Sequence, residues 1–65
     1  MNKSTIYVRF ENQTDDDLAE FRAETVPRKG DLVDWEDARH PVVDVIFQPM
    51  SGNVYSPVVV LAKKQ

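Results

Sequence analysis

"NQTDDDLAEFRAET" (Asn12–Thr25) supports two incompatible readings, and the choice between them decides the fold. As a helix, Thr14 is an N-cap and Asp17 occupies the capping-box position. Asp15, Asp16 and Asp17 then sit at the positive end of the macrodipole, and Pro27 stops the element. As a strand, "AEFRAET" (Ala19–Thr25) alternates. Ala19, Phe21, Ala23 and Thr25 face in, while Glu20, Arg22 and Glu24 face out. The aspartates become a hairpin loop, a setting that Asn and Asp tolerate well. A helix of about ten residues is marginal on its own. The strand is the favoured reading, and a helix over residues 14–26 is the alternative.

The flanking segments read more simply. "STIYVRFEN" (Ser4–Asn12) alternates, with Ile6, Val8 and Phe10 on one face. Pro27 and Gly30 punctuate a turn, after which Leu32, Val33 and Trp35 supply a short strand. "EDARHP" (Glu36–Pro41) reads as a polar loop. "VVDVIFQ" (Val42–Gln48) is strongly β-forming, with Val43, Val45 and Phe47 expected on one face and Val42, Asp44 and Ile46 on the other. "PMSGN" (Pro49–Asn53) is a turn, and "VYSPVVVLAKK" (Val54–Lys64) the last strand. There Pro57 lacks the N–H for a ladder bond and marks an edge or a bulge.

The expected fold is mainly β: one domain over residues 1–65, a five-strand antiparallel sheet curled into a small barrel. The helical reading of 14–26 gives instead an α+β fold of four strands and one helix. Sixty-five residues bury only about 60% of the unfolded chain's surface. Stability is therefore expected to be marginal, and a partner or second copy helpful.

The net charge of −3 conceals an uneven layout. All eleven acids lie between Glu11 and Asp44, a stretch that carries −7 after Arg22, Arg28, Lys29 and Arg39 are counted. Lys3, Arg9, Lys63 and Lys64 flank it. A nucleic-acid binder is expected to show the reverse, a basic stripe. No cysteine is present, which excludes disulfides and thiolate metal sites. No apolar run resembles a signal peptide or spans a bilayer. Cytoplasmic residence is the expectation.

Catalytic and metal chemistry find little footing. A calcium loop needs a central glycine and a closing glutamate, and the aspartate run has neither. His40 is the only histidine, so no zinc set exists. Ser4, Ser51 and Ser56 lie outside any nucleophile-elbow sequence. The expectation is a protein that is not an enzyme, with no cofactor and no metal.

The string "VPRKGDLV", then a loop, "VVDVIF", a turn and "VVVLAKK" resembles small SH3-like β-barrel domains. The chain as a whole resembles short accessory proteins of phages and mobile elements, including anti-CRISPR proteins. What the resemblance implies is a phage-type inhibitor that blocks a bacterial host complex, such as a CRISPR surveillance complex. A row of carboxylates can occupy a Lys/Arg cleft as a DNA mimic, because DNA presents about one negative charge per 1.7 Å. The candidate partner-binding residues are Asp15, Asp16, Asp17, Glu20, Glu24, Asp34, Glu36 and Asp37. Trp35 is either an interface anchor or the main core residue. The expected partner is a larger basic protein or nucleoprotein complex, with no direct contact to nucleic acid or membrane. The competing expectation is a structural homodimer joined through an open strand edge, in which acidity serves only solubility.

Overall fold

The computed structural model describes residues 3–63. It contains five strands: β1 (Ser4–Phe10), β2 (Ala19–Ala23), β3 (Leu32–Trp35), β4 (Ala38–Ser51) and β5 (Val54–Leu61). They form one sheet in the order β2-β1-β5-β4-β3, curled into a half-barrel. Mainly β architecture with five strands is therefore the fold.

The sheet is mixed rather than wholly antiparallel, because β1 and β5 run parallel. The reason is parity. Short links reverse the chain at each step, so strands one, three and five share a direction. A five-strand up-and-down chain that joins its first strand to its last must join them in parallel. The ends of β1, β3 and β5 define what we call the upper end of the half-barrel.

The decisive segment resolves as strand, and both of its sequence signals are used. Thr14 caps one 3-10 turn, Asp15–Asp17. The Thr14 hydroxyl accepts from the Asp16 N–H, and the Asp17 carboxylate accepts from the Thr14 N–H at 3.1 Å. At Leu18 the backbone turns extended (φ −62°, ψ 132°) and β2 begins. Continuing the helix would cost β2 its ladder with β1, where Phe21 stands opposite Ile6 and Ala19 opposite Val8. It would also remove Phe21 and Ala23 from the core they pack against.

That core joins Ile6, Val8 and Phe10 to Val42, Val59 and Leu61, with Phe21, Val33, Trp35 and Val45 packed against it. Ile6 and Leu61 are fully excluded from water. Burial of such a side chain contributes about 1.5–3 kcal/mol. Val58 and Val60 are buried as well, although they alternate with the core residues. β5 is the central strand, and beside these two lie the half-buried Tyr7, Arg9 and Ile46. Burial on both faces explains the run of apolar residues at its end.

Four expectations need correction. The register of β4 against β5 shifts between Val42 and Asp44. This bulge inserts one residue, so Val42 and Val45 both face the core, and strict alternation along Val42–Phe47 fails. The supposed loop Glu36–Pro41 contains only a two-residue turn, since Ala38–Pro41 already pairs with β3. Pro49–Ser51 likewise belongs to β4 rather than to a turn. Pro57 marks no sheet edge. It lies one residue before the β1–β5 ladder starts at Tyr7 and Val58, where its missing N–H breaks nothing.

Candidate functional site

Curling brings the two edge strands together at the upper end. The rings of Phe21 on β2 and Trp35 on β3 lie 5.9 Å apart, although these strands are not neighbours in the sheet. His40, expected in a loop, sits on β4 at only 5% exposure. Its ring meets Phe10 edge-on at 4.9 Å, and its Nε2–H donates to the Trp35 carbonyl at 3.2 Å. Two aromatic pairs, Phe10–His40 and Phe21–Trp35, are thus linked at the upper end by the bond from His40 to the Trp35 backbone. With its ring packed and its Nε2 engaged, His40 is no exposed base.

Both acidic segments grow out of those pairs. The aspartate loop leaves the sheet after Phe10 and returns at Ala19, two residues before Phe21. Glu36 and Asp37 follow Trp35 directly and form the β3–β4 turn, both with positive φ (54° and 68°). Positive φ at both central residues is the twist a two-residue hairpin requires, and Asn-Gly is the usual occupant. Asp15, Asp16, Asp17, Glu36 and Asp37 are all exposed and lie at one end of the molecule.

The aspartate loop is held from below. Gln13 donates its N–H to the Phe10 carbonyl and accepts the Phe10 N–H on its side chain, each at 2.9 Å. Arg9 donates to the Gln13 carbonyl at 3.0 Å. The Arg9 Nε is buried without a hydrogen-bond partner and stands 4.0 Å from an Asp15 carboxylate oxygen. Glu11 accepts the backbone N–H of Lys63 at 2.8 Å, which ties the segment after β5 to this end. Among the described residues this end gathers seven carboxylates (Glu11, Asp15, Asp16, Asp17, Asp34, Glu36, Asp37) against three cations (Arg9, Arg39, Lys63).

The remaining candidates fall elsewhere or are otherwise engaged. Asp34 pairs with Arg39 at 2.9 Å, a contact that pushes the Arg39 guanidinium further up from its usual range. Glu20 lies along β2, opposite Tyr7. Glu24 follows Ala23, which pairs with Ser4, so it lies toward the lower end. Trp35 is half-buried against the core.

A second surface lies at the lower end, beside the basic pair Arg28–Lys29 of the turn before β3. A shallow groove of about 820 Å³ runs between the Thr25–Lys29 segment and β4. Val26, Pro27, Val45 and Phe47 line it, with Arg28, Lys29, Asp31 and Asp44 alongside. Phe47 is 62% exposed there. The bulge turns Phe47 onto this face, and no residue pattern announces a bulge. Among the described residues no group of three or more His, Cys, Asp or Glu side chains is placed to hold a metal ion. Among the described residues no helix is long and apolar enough to cross a membrane. Comparison with known proteins yields no matching family model, no matching curated protein and no matching solved structure.

Proposed function

We propose that this protein is a non-enzymatic binding module whose acidic upper end docks on a basic, nucleic-acid-binding surface of a larger protein. The observation that carries the reading is the convergence of two acidic segments, distant in sequence, on one end of the half-barrel. Asp15, Asp16 and Asp17 come from the β1–β2 loop, and Glu36 and Asp37 from the β3–β4 turn. Both segments are braced, one by a capping box and the other by a two-residue turn. Their charges are therefore held in place before any partner arrives, which lowers the ordering cost of association.

Such an end competes with phosphates for lysine and arginine side chains and steers encounter with a basic partner. The resemblance to phage-encoded inhibitors makes a nucleic-acid-handling complex of a bacterial host the expected target, with the CRISPR surveillance complex as one example. The protein would act in the host cytoplasm by occupying the nucleic-acid path.

The test is capture from a bacterial lysate at ~0.1 M and ~1 M salt, between which the screening length falls from about 10 Å to about 3 Å. The reading expects a nucleic-acid-handling protein retained at low salt, released at high salt and displaced by added DNA. Retention indifferent to salt and to DNA counts against it, as does direct retention of DNA by the protein itself.

A further inference from the structure

The lower half of β4 is a strand with one neighbour. β4 runs for 14 residues, but β3 covers only Ala38–Pro41 and Asp31 bonds to Val42. The chain then turns away through the Arg28–Asp31 turn, where the Asp31 N–H donates to the Arg28 carbonyl. From Asp44 to Ser51 the outer edge of β4 therefore carries no strand, while β5 occupies the inner edge.

The backbone groups on that open edge follow from the alternation of the ladder. The Leu61 carbonyl accepts from Glu11 N–H, on the β1 side. Val59, Pro57 and Tyr55 therefore also direct their backbone groups toward β1. Their register partners Val45, Phe47 and Pro49 must point theirs away from β5, to the open edge. Val42 agrees once the bulge is counted, since its N–H and carbonyl bond outward to Asp31 and Gly30.

Most of this edge is guarded. The Val45 N–H is taken by its neighbour's carboxylate, Asp44 Oδ1, at 2.9 Å, and Pro49 has no N–H. These are devices that discourage indiscriminate strand pairing. One donor remains, the Phe47 N–H, together with the carbonyls of Val45, Phe47 and Pro49. None of these four has a partner among the described residues. The groove opens directly beside them. Arg28 and Lys29 line it without an ion pair among the described residues. Asp31 and Asp44 line the groove as well, but each carboxylate is turned onto a backbone amide, Asp31 onto Arg28 N–H at 2.8 Å and Asp44 onto Val45 N–H at 2.9 Å, which leaves Arg28 and Lys29 as the side-chain charges without a partner among the described residues.

We propose that this edge accepts an extended acidic peptide of another protein as an added strand centred on Phe47. The peptide takes the Phe47 N–H and donates to the outward carbonyls. Its alternate apolar side chains rest on Phe47, Val45, Val26 and Pro27, and its carboxylates face Arg28 and Lys29. This is strand addition to a sheet edge, in which the backbone supplies affinity and the side-chain pockets supply choice. The acidic single chain is the occupant that the unpaired Arg28 and Lys29 beside the edge favour.

Titration with a blocked seven-residue peptide of alternating glutamate and valine, followed by backbone amide NMR, tests the proposal. The Phe47 amide and its neighbours from Val45 to Met50 should shift, while Asp15–Asp17 stay still. The lysine–valine counterpart should bind about fivefold more weakly or worse, as two exposed charge pairs allow. The double variant R28E/K29E should reverse that preference. Absence of any Phe47 shift at millimolar peptide, equal binding of both peptides, or a preference unmoved by R28E/K29E overturns the proposal. So does sedimentation showing a dimer whose formation alone shifts the Phe47 amide, which would assign the edge to a second copy.

Discussion

The two ends of the half-barrel solve opposite problems. At the upper end the sheet edges are drawn together by Phe21 and Trp35, His40 and Phe10 complete the packing, and charge is pushed outward onto braced turns. At the lower end β4 outruns β3, its outer edge is unpaired, and Phe47 remains mostly exposed. The closed end is where structure and charge coincide. The open end is where apolar surface and basic side chains coincide. In so small a chain, every strand position spent on closing one end is unavailable to close the other.

The sharpest way to break that contrast is to remove what both ends share. Leu61 is fully buried in the core and pairs with both β1 and β4. Leu61→Ala should cost about 2–5 kcal/mol. A domain of this length has only about 3–10 kcal/mol in total. Urea titration followed by circular dichroism should find the variant largely unfolded or close to it; a midpoint like that of the parent would mean the core is drawn wrongly.

Next in size is the closure itself. Trp35→Ala should cost about 2 kcal/mol, less than a fully buried tryptophan because the ring is half-exposed. A double-mutant cycle with Phe21→Ala should return a coupling of about 0.5–1.5 kcal/mol, the range for paired aromatic rings. Strict additivity would show that the edge strands do not meet.

The β3–β4 turn offers a gain instead of a loss. Glu36 and Asp37 occupy left-handed backbone at a cost that Asn and Gly avoid. Replacing them together by Asn-Gly should stabilise the fold by about 1 kcal/mol. The same change removes two carboxylates from the upper end, so stability and partner binding should move in opposite directions. Parallel movement would remove any reason to see function in those residues.

Smallest is the lower end. Phe47→Ser should leave folding stability within about 0.5 kcal/mol, since an exposed side chain loses little. A loss of several times that amount would mean Phe47 is covered in solution.

Much of this contrast was legible in the residues. Alternation in Ser4–Phe10 and Ala19–Ala23 located β1 and β2, and the N-cap at Thr14 was real even though the element it starts lasts one turn. Spacing revealed the acidic segments but not their meeting, which depends on sheet curvature. Glu24 and Asp37 look equivalent as exposed acids, and only the register separates them to opposite ends. His40 reads as a loop residue because Pro41 marks a loop in sequence, whereas here His40 and Pro41 pair with Val33 and Leu32 of β3 and the Pro41 carbonyl accepts from Ala62. The bulge after Val42 hid the groove by reversing which residues of β4 face inward.

The most direct measurement compares two variants of equal charge. One carries Asp15→Asn, Asp16→Asn and Asp37→Asn at the upper end. The other carries Glu24→Gln, Asp31→Asn and Asp44→Asn, acids outside the seven carboxylates of that end, where the amide oxygens can keep the local hydrogen bonds. With affinity for the captured basic partner as readout, the upper-end variant should lose binding by about tenfold or more, as a few lost charge pairs allow, while the other stays within about twofold of the parent. Equal losses in both would show that only net charge matters, and that the shared end of the acidic segments has no role of its own.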